Sequence, residues 1–169
     1  MLLPTGMVGI DVFLCHVEDV MITVADIMTT QPYTLRETDV IDAARQLMAE
    51  KHIRHIPIVS EAGKLLGLVT QRDLLAASIP KLVDVNETER AAFETSTTLD
   101  QIMTTELSVI SEKMSLREAA LRLQGHKYGC LPVLSEGKLK GIITDSDFVA
   151  VAINLLEQLE LTEPLDESL

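Results

Sequence analysis

Two stretches of this chain repeat one arrangement of chemically capable residues. Gly67-Leu-Val-Thr70-Gln-Arg-Asp73 and Gly141-Ile-Ile-Thr144-Asp-Ser-Asp147 share the order glycine, two apolar residues, threonine, two variable residues and aspartate. Each sits where an apolar strand-like run gives way to a helical pattern. There a glycine lets a ligand approach the backbone, and a threonine hydroxyl with the first helix amides can cradle a phosphate. The aspartate can accept from two ribose hydroxyls, so such a site suits a nucleotide. The plainer role is helix capping, with the threonine opening the helix and the aspartate favouring its positive end. The preceding glycine, an aspartate where glutamate makes the better box, and the recurrence at matching positions favour binding; the two roles can coexist.

Other constellations carry less. His52 and His55 are three apart, but His16 and His126 are remote and no cysteine cluster accompanies them, so no metal site is expected. Cys15 and Cys130 are far apart and lack metal-type spacing; they read as buried free thiols, and the seven methionines as core filler. Neither a serine-histidine-aspartate nucleophile elbow nor a Gly-Lys-Thr phosphate loop is present, and no convergent set of acid, base and nucleophile marks an enzyme.

The elements that must position these residues recur as well. Ile27-Met28-Thr29-Thr30 returns as Ile102-Met103-Thr104-Thr105, Asp39 to Met48 as Met114 to Leu123, and Ile56-Pro57-Ile58-Val59 as Leu131-Pro132-Val133-Leu134. The shift is about 75 residues, the mark of two copies of one supersecondary unit. Val40, Ala43, Ala44, Leu47 and Met48 trace one face of a helix over about Asp39 to Lys51; Leu116, Ala119, Ala120 and Leu123 trace its counterpart, opened by the box Ser115-Leu-Arg-Glu118. Strands are expected at Ile56–Val59 and Leu65–Val69, and at Leu131–Leu134 and Leu139–Ile143, joined by polar turns at Ser60–Lys64 and Ser135–Lys138. A first strand is expected near Pro32–Leu35, or Leu107–Ile110 in the second copy. A helical turn or two is expected at Glu87–Phe93, and a long amphipathic helix after Asp147 offers an oligomer surface or packs back on its own unit.

Composition limits the partners. Lys plus Arg number 14 against 26 Asp plus Glu, a net charge of −12 that a phosphate backbone would repel, so nucleic acid is not an expected partner. No apolar run reaches the roughly 18 residues of a membrane span, and the start lacks the basic region of a signal peptide; a cytoplasmic protein is expected. Hydrophobic residues make up 47% and aromatics only 3%, a core of Ile, Leu, Val, Ala and Met that suits helices on buried strands.

Together the four recurring blocks resemble the cystathionine-β-synthase (CBS) domain, and their tandem resembles the two-repeat CBS pair called a Bateman module. The likeness covers about Val24 to Ser78 and Thr98 to Leu159. It implies an α/β (α+β) fold of two β-α-β-β-α repeats packed about a pseudo-twofold axis, with two clefts, and two chains joined in a flat homodimer through their CBS pairs. The chain then divides into an N-terminal arm (1–23), repeat 1 (24–78), a linker (79–97), repeat 2 with an extended C-terminal helix (98–160) and an acidic tail (161–169). Ligands implied are AMP, ADP, ATP or S-adenosylmethionine, with no cofactor required.

Position by position, the resemblance puts Thr70 and Thr144 on phosphate, Asp73 and Asp147 on ribose, and backbone near Ile56 and Leu131 on adenine. Arg54 and His55 complete a phosphate site, or are solvated edge residues. The second copy has Gly129 and Cys130 there, Ser146 in place of Arg72, and in Asp145 a charge that disfavours polyphosphate. Unequal clefts follow, with at most one strong nucleotide site per chain. The leading expectation is a sensor that signals to a separate, unidentified regulated protein; the alternative is a structural dimerisation module with empty or degenerate clefts.

Overall fold

Ile41, Ala44 and Met48 share one face at the i, i+3 and i+7 spacing, and this buried stripe holds helix α1 (Ile41–Lys51) against the first core. The helix stops at His52, whose left-handed φ of 54° turns the chain into a hairpin of β2 (His55–Val59) and β3 (Leu65–Thr70). Helix α2 (Gln71–Ala77) follows directly. The second copy repeats the plan with β4 (Ile110–Ser111), α4 (Leu116–Gly125), β5 (Cys130–Ser135), β6 (Lys138–Thr144) and α5 (Asp145–Thr162). Between the copies lies helix α3 (Glu87–Ser96), and ahead of α1 lies the two-residue strand β1 (Thr29–Thr30). This computed structural model describes residues 21–78, 86–125 and 129–162. Expectations for residues 1–20, for His126, for linker residues 79–85 and for the tail from 163 lie outside them.

The strands differ from expectation at three points. Pro32–Leu35 pairs only at Leu35, which bridges Ile58 in parallel, and the second-copy strand is Ile110–Ser111, parallel to Val133–Leu134, rather than Leu107–Ile110. A further strand, absent from the expected plan, comes from the Ile-Met-Thr-Thr block: Thr29 and Thr30 pair antiparallel with Ile142 and Gly141 of the other copy. The mirror contact joins Thr104 to Leu68 through two backbone hydrogen bonds of 2.9 Å.

The sequence repeats are therefore not the packing units. Val24 N donates to Met114 O and Leu116 N to Ile22 O, and Val24 is buried in the core of α4, β5 and β6. In the other unit Leu99 N donates to Asp39 O and Ile41 N to Thr97 O, with Leu99 buried beside Ile41 and Met48. Each unit thus takes its leading segment from the opposite repeat, and Leu68, Cys130 and Ile142 form a third cluster between the units.

The exchange gives the motif glycines a role other than ligand approach. A Cβ at Gly141 would stand 2.7 Å from the Thr29 carbonyl oxygen and 2.9 Å from Met28 Sδ; one at Gly67 would stand 2.6 Å from Met103 Sδ. Both glycines are where the exchanged segment lies on the strand.

Local chemistry sets the remaining elements. Glu136 and Gly137, with φ of 51° and 76°, make the tight turn between β5 and β6. Ser115 Oγ accepts from Glu118 N at 3.2 Å to open α4, while the Glu118 carboxylate turns to Arg122. Helix α3 is longer than the turn or two expected. Asn86 and Glu89 cap it reciprocally, and Arg45 holds it to α1 by a two-pronged ion pair with Glu94 at 2.9 and 3.2 Å. Helix α5 packs on its unit at Phe148 but leaves Val149, Ile153, Leu155, Leu156, Leu159 and Leu161 more than half exposed. Among the described residues no helix is long and apolar enough to cross a membrane.

Two predictions follow from these contacts. Gly141→Ala drives a methyl to 2.7 Å from the Thr29 carbonyl oxygen and should cost about 1–3 kcal/mol in denaturant unfolding, whereas Gly67→Ala meets the flexible Met103 thioether first and its backbone neighbour, Thr104 O, only at 3.0 Å, and should cost less. Equal costs would contradict this reading. Burial first, then Asp147 and Asp145, push the Cys130 thiol from 9.0 up to about 12. Because the folded state keeps a proton that the unfolded chain releases, stability is intact below pH 9 and falls as pH rises towards 12. The slope is at most about 1.4 kcal/mol per pH unit, and Cys130→Ala should remove it.

Candidate functional site

Both motif threonines cap a helix in the structure. Thr70 N and Oγ1 each donate to Asp73 Oδ2 at 2.7 Å, and Asp73 N donates back to Thr70 Oγ1 at 3.3 Å. Thr144 N and Oγ1 donate to Asp147 Oδ2 at 2.7 and 3.0 Å. A third Thr-x-x-Asp box closes the turn at Thr23 and Asp26, where the Thr23 amide and then its hydroxyl hold the Asp26 carboxyl below its usual range. Capping alone therefore does not mark a binding site.

Capping also changes the expected phosphate chemistry. The first amide of α2 is taken by the Arg54 carbonyl (Gln71 N to Arg54 O, 3.0 Å), and that of α5 by the Gly129 carbonyl (3.3 Å). That first amide is therefore not open to a phosphate in either helix. Each threonine hydroxyl gives its proton to an aspartate, so a phosphate needs a positive partner from elsewhere. In both boxes the bonds from the threonine amide and hydroxyl converge on Oδ2.

A cavity of about 490 Å³ supplies that partner. Its lining comes from three pieces of chain. Thr29 to Tyr33 cross from one unit to the other, His52 to His55 turn from α1 into β2, and Gly129, Ile142 and Thr144 to Asp147 belong to the second unit. Arg54 and His55 thus line the cleft of the opposite repeat, with Thr144 and Asp147, and not the cleft of their own motif. Two left-handed residues, Gln31 (φ 50°) and His52, bend the chain around this cavity. A volume of this size suits a small-molecule ligand.

The other sequence-derived residues fall elsewhere. The side chains of Ile56 and Leu131 are fully buried in the two cores; the backbone near them, expected to meet adenine, adjoins the lining residues His55 and Gly129. Thr70, Arg72 and Asp73 occupy the equivalent helix start in the first unit. Sequence reading missed Thr29 to Tyr33 and His52 as lining residues. The half-exposed Tyr33 ring, with Lys51 Nζ 5.5 Å from its centre, is the one aromatic face in the lining besides the two imidazoles. An aromatic next to Pro32 in a chain with two tyrosines was the available signal.

Comparison with known proteins is consistent across sequence and structure. A family model described as CBS domain matches residues 24–80 and 99–154. A candidate acetoin utilization protein (AcuB) of Vibrio cholerae is 46% identical, with a TM-score of 0.70, over 86% of this chain and 100% of that one. CBSX2, a CBS-pair protein of Arabidopsis thaliana, has a crystal structure in complex with AMP; it matches at 29% identity and TM-score 0.66 over 80% of this chain and 98% of its own. An uncharacterized protein of Methanocaldococcus jannaschii is 32% identical over 126 residues, 75% of this chain and 41% of that protein. The chain spans between 22% and 41% of the length of the first three curated relatives it matches.

Proposed function

The chain belongs to the CBS-domain family as a tandem pair, and on that premise we propose that it is a regulatory module that binds an adenine nucleotide. The observation that carries this reading is the meeting of Thr144, Asp147, Arg54 and His55 in one cavity built by both repeats. Asp147 Oδ1 accepts ribose hydroxyls, and the Arg54 guanidinium, as a charged donor, takes the phosphate that the capped helix start cannot hold alone. Tyr33 and Pro32 offer the base an apolar face. The AMP complex of CBSX2 supports the ligand class, and S-adenosylmethionine remains a candidate beside AMP, ADP and ATP.

Such a ligand acts by preference. The cavity is walled by the crossing segment and by both units, so binding favours one arrangement of the units over others and passes that preference to whatever partner reads it. The role is binding, not catalysis, and the partner is a separate protein. The name of the 46% identical Vibrio cholerae protein makes acetoin utilization one candidate process.

The exposed apolar residues of α5 favour a homodimer, because six large side chains on one helix exceed what scattered surface hydrophobics explain. That observation also sustains the second reading, a dimerising module that binds nothing.

Thermal unfolding separates the two. A ligand selective for the folded state adds about 2.7 kcal/mol at a hundred times its Kd, so AMP at millimolar concentration should raise the midpoint. Asp147→Ala and Arg54→Ala should lose the rise, with Asp147→Ala itself costing about 1 kcal/mol through the lost cap. No shift with any adenine compound would leave only the dimerising module. Leu156→Glu with Leu159→Glu should halve the particle mass in sizing chromatography; a wild-type monomer at micromolar concentration would refute the homodimer.

A further inference from the structure

The two variable residues inside the equivalent boxes carry opposite charge. Gln71 and Arg72 follow Thr70, a sum of +1, whereas Asp145 and Ser146 follow Thr144, a sum of −1. Asp145 lines the described cavity together with Thr144 and Asp147. Its carboxylate is set into the wall at Gly129: a Cβ there would stand 2.8 Å from Asp145 Oδ2 and 3.7 Å from His55 Nε2. Gly129 has a φ of 67°, which disfavours any side chain, so this position keeps room for the carboxylate beside the imidazole.

The carboxylates and guanidinium on the cavity are then Arg54 against Asp145 and Asp147, one positive and two negative, beside the imidazoles of His52 and His55. Asp147 is committed to the Thr144 box through Oδ2. Asp145 follows Thr144 directly in the chain and lines the same cavity.

We infer that Asp145 makes the Thr144 cleft sort adenine ligands by charge, accepting a 5′ group of low or positive charge and turning away di- and triphosphates. This rests on the adenine-nucleotide reading and assigns its selectivity to one side chain. One phosphate can be matched by Arg54. Each further phosphate adds negative charge near a carboxylate in a partly enclosed site, where screening by solvent is weaker than in bulk water.

Titration calorimetry of the full chain with AMP, S-adenosylmethionine and ATP, without divalent cations, tests the inference in wild type and Asp145→Asn. The isosteric change leaves the backbone bond from Asp145 N to Gly129 O in place, and an unchanged circular dichroism spectrum checks the fold. AMP should bind wild type on the order of tenfold tighter than ATP, and Asp145→Asn should narrow that gap by raising ATP affinity more than AMP affinity. ATP binding wild type as tightly as AMP, or the substitution altering all three ligands equally, would overturn the inference while leaving the nucleotide reading intact. Binding of none of the three to either protein would overturn both.

Discussion

The antiparallel pairing of Thr29 and Thr30 with Ile142 and Gly141, mirrored by Thr104 on Leu68, is the contact on which the other features depend. It commits the Ile-Met-Thr-Thr block of each repeat to the opposite unit and closes each core with a borrowed apolar residue, Val24 in one and Leu99 in the other. Neither half can then bury its core alone, which accounts for two units of this size packing as one body. The chain must next return to its own unit, and on the way Thr29 to Tyr33 form a wall of the cavity. The same return brings the turn after α1 to the second unit's motif, so the cleft is a product of the exchange. Close approach is what the glycines of both motifs provide, and their backbone neighbours are protein atoms.

Much of this fold was legible in the sequence. The repeat, the Ala-Ala helices, the apolar-Pro-apolar strands and the helix starts at Thr70 and Thr144 emerge at or near their expected positions because each is fixed by local periodicity or a local cap. The exchange was not legible, since two similar segments fit either unit equally well as sequence; only the three-dimensional path decides which. Helix α3 was underestimated because Asn86 caps it locally but its anchor, Arg45, lies 49 residues from Glu94. The ownership of Arg54 and His55 followed from the crossing path, and the backbone near Ile56 and Leu131, taken from the family resemblance, adjoins the lining residues His55 and Gly129.

The Thr-x-x-Asp boxes show how one pair of side chains serves structure and leaves room for chemistry. Capping consumes the threonine proton and one carboxylate oxygen, so binding, where it occurs, relies on the other oxygen and on groups from the facing repeat. The box at Thr23 and Asp26 caps a turn outside the cavity lining. Around the second-unit motif the structure adds an arginine and imidazoles from across the interface, an aromatic ring, and a carboxylate seated at Gly129. Behind them Cys130, buried and held protonated, contributes apolar packing between the units.

The most direct measurement is a crystal structure of the full chain grown with AMP. The expected result is the nucleotide in the cavity between the repeats, its ribose hydroxyls on Asp147, its phosphate at Arg54 of the opposite unit and its base against Thr29 to Tyr33. AMP held elsewhere, or held in that cavity without contact to both Asp147 and Arg54, would contradict a site built jointly by the two repeats.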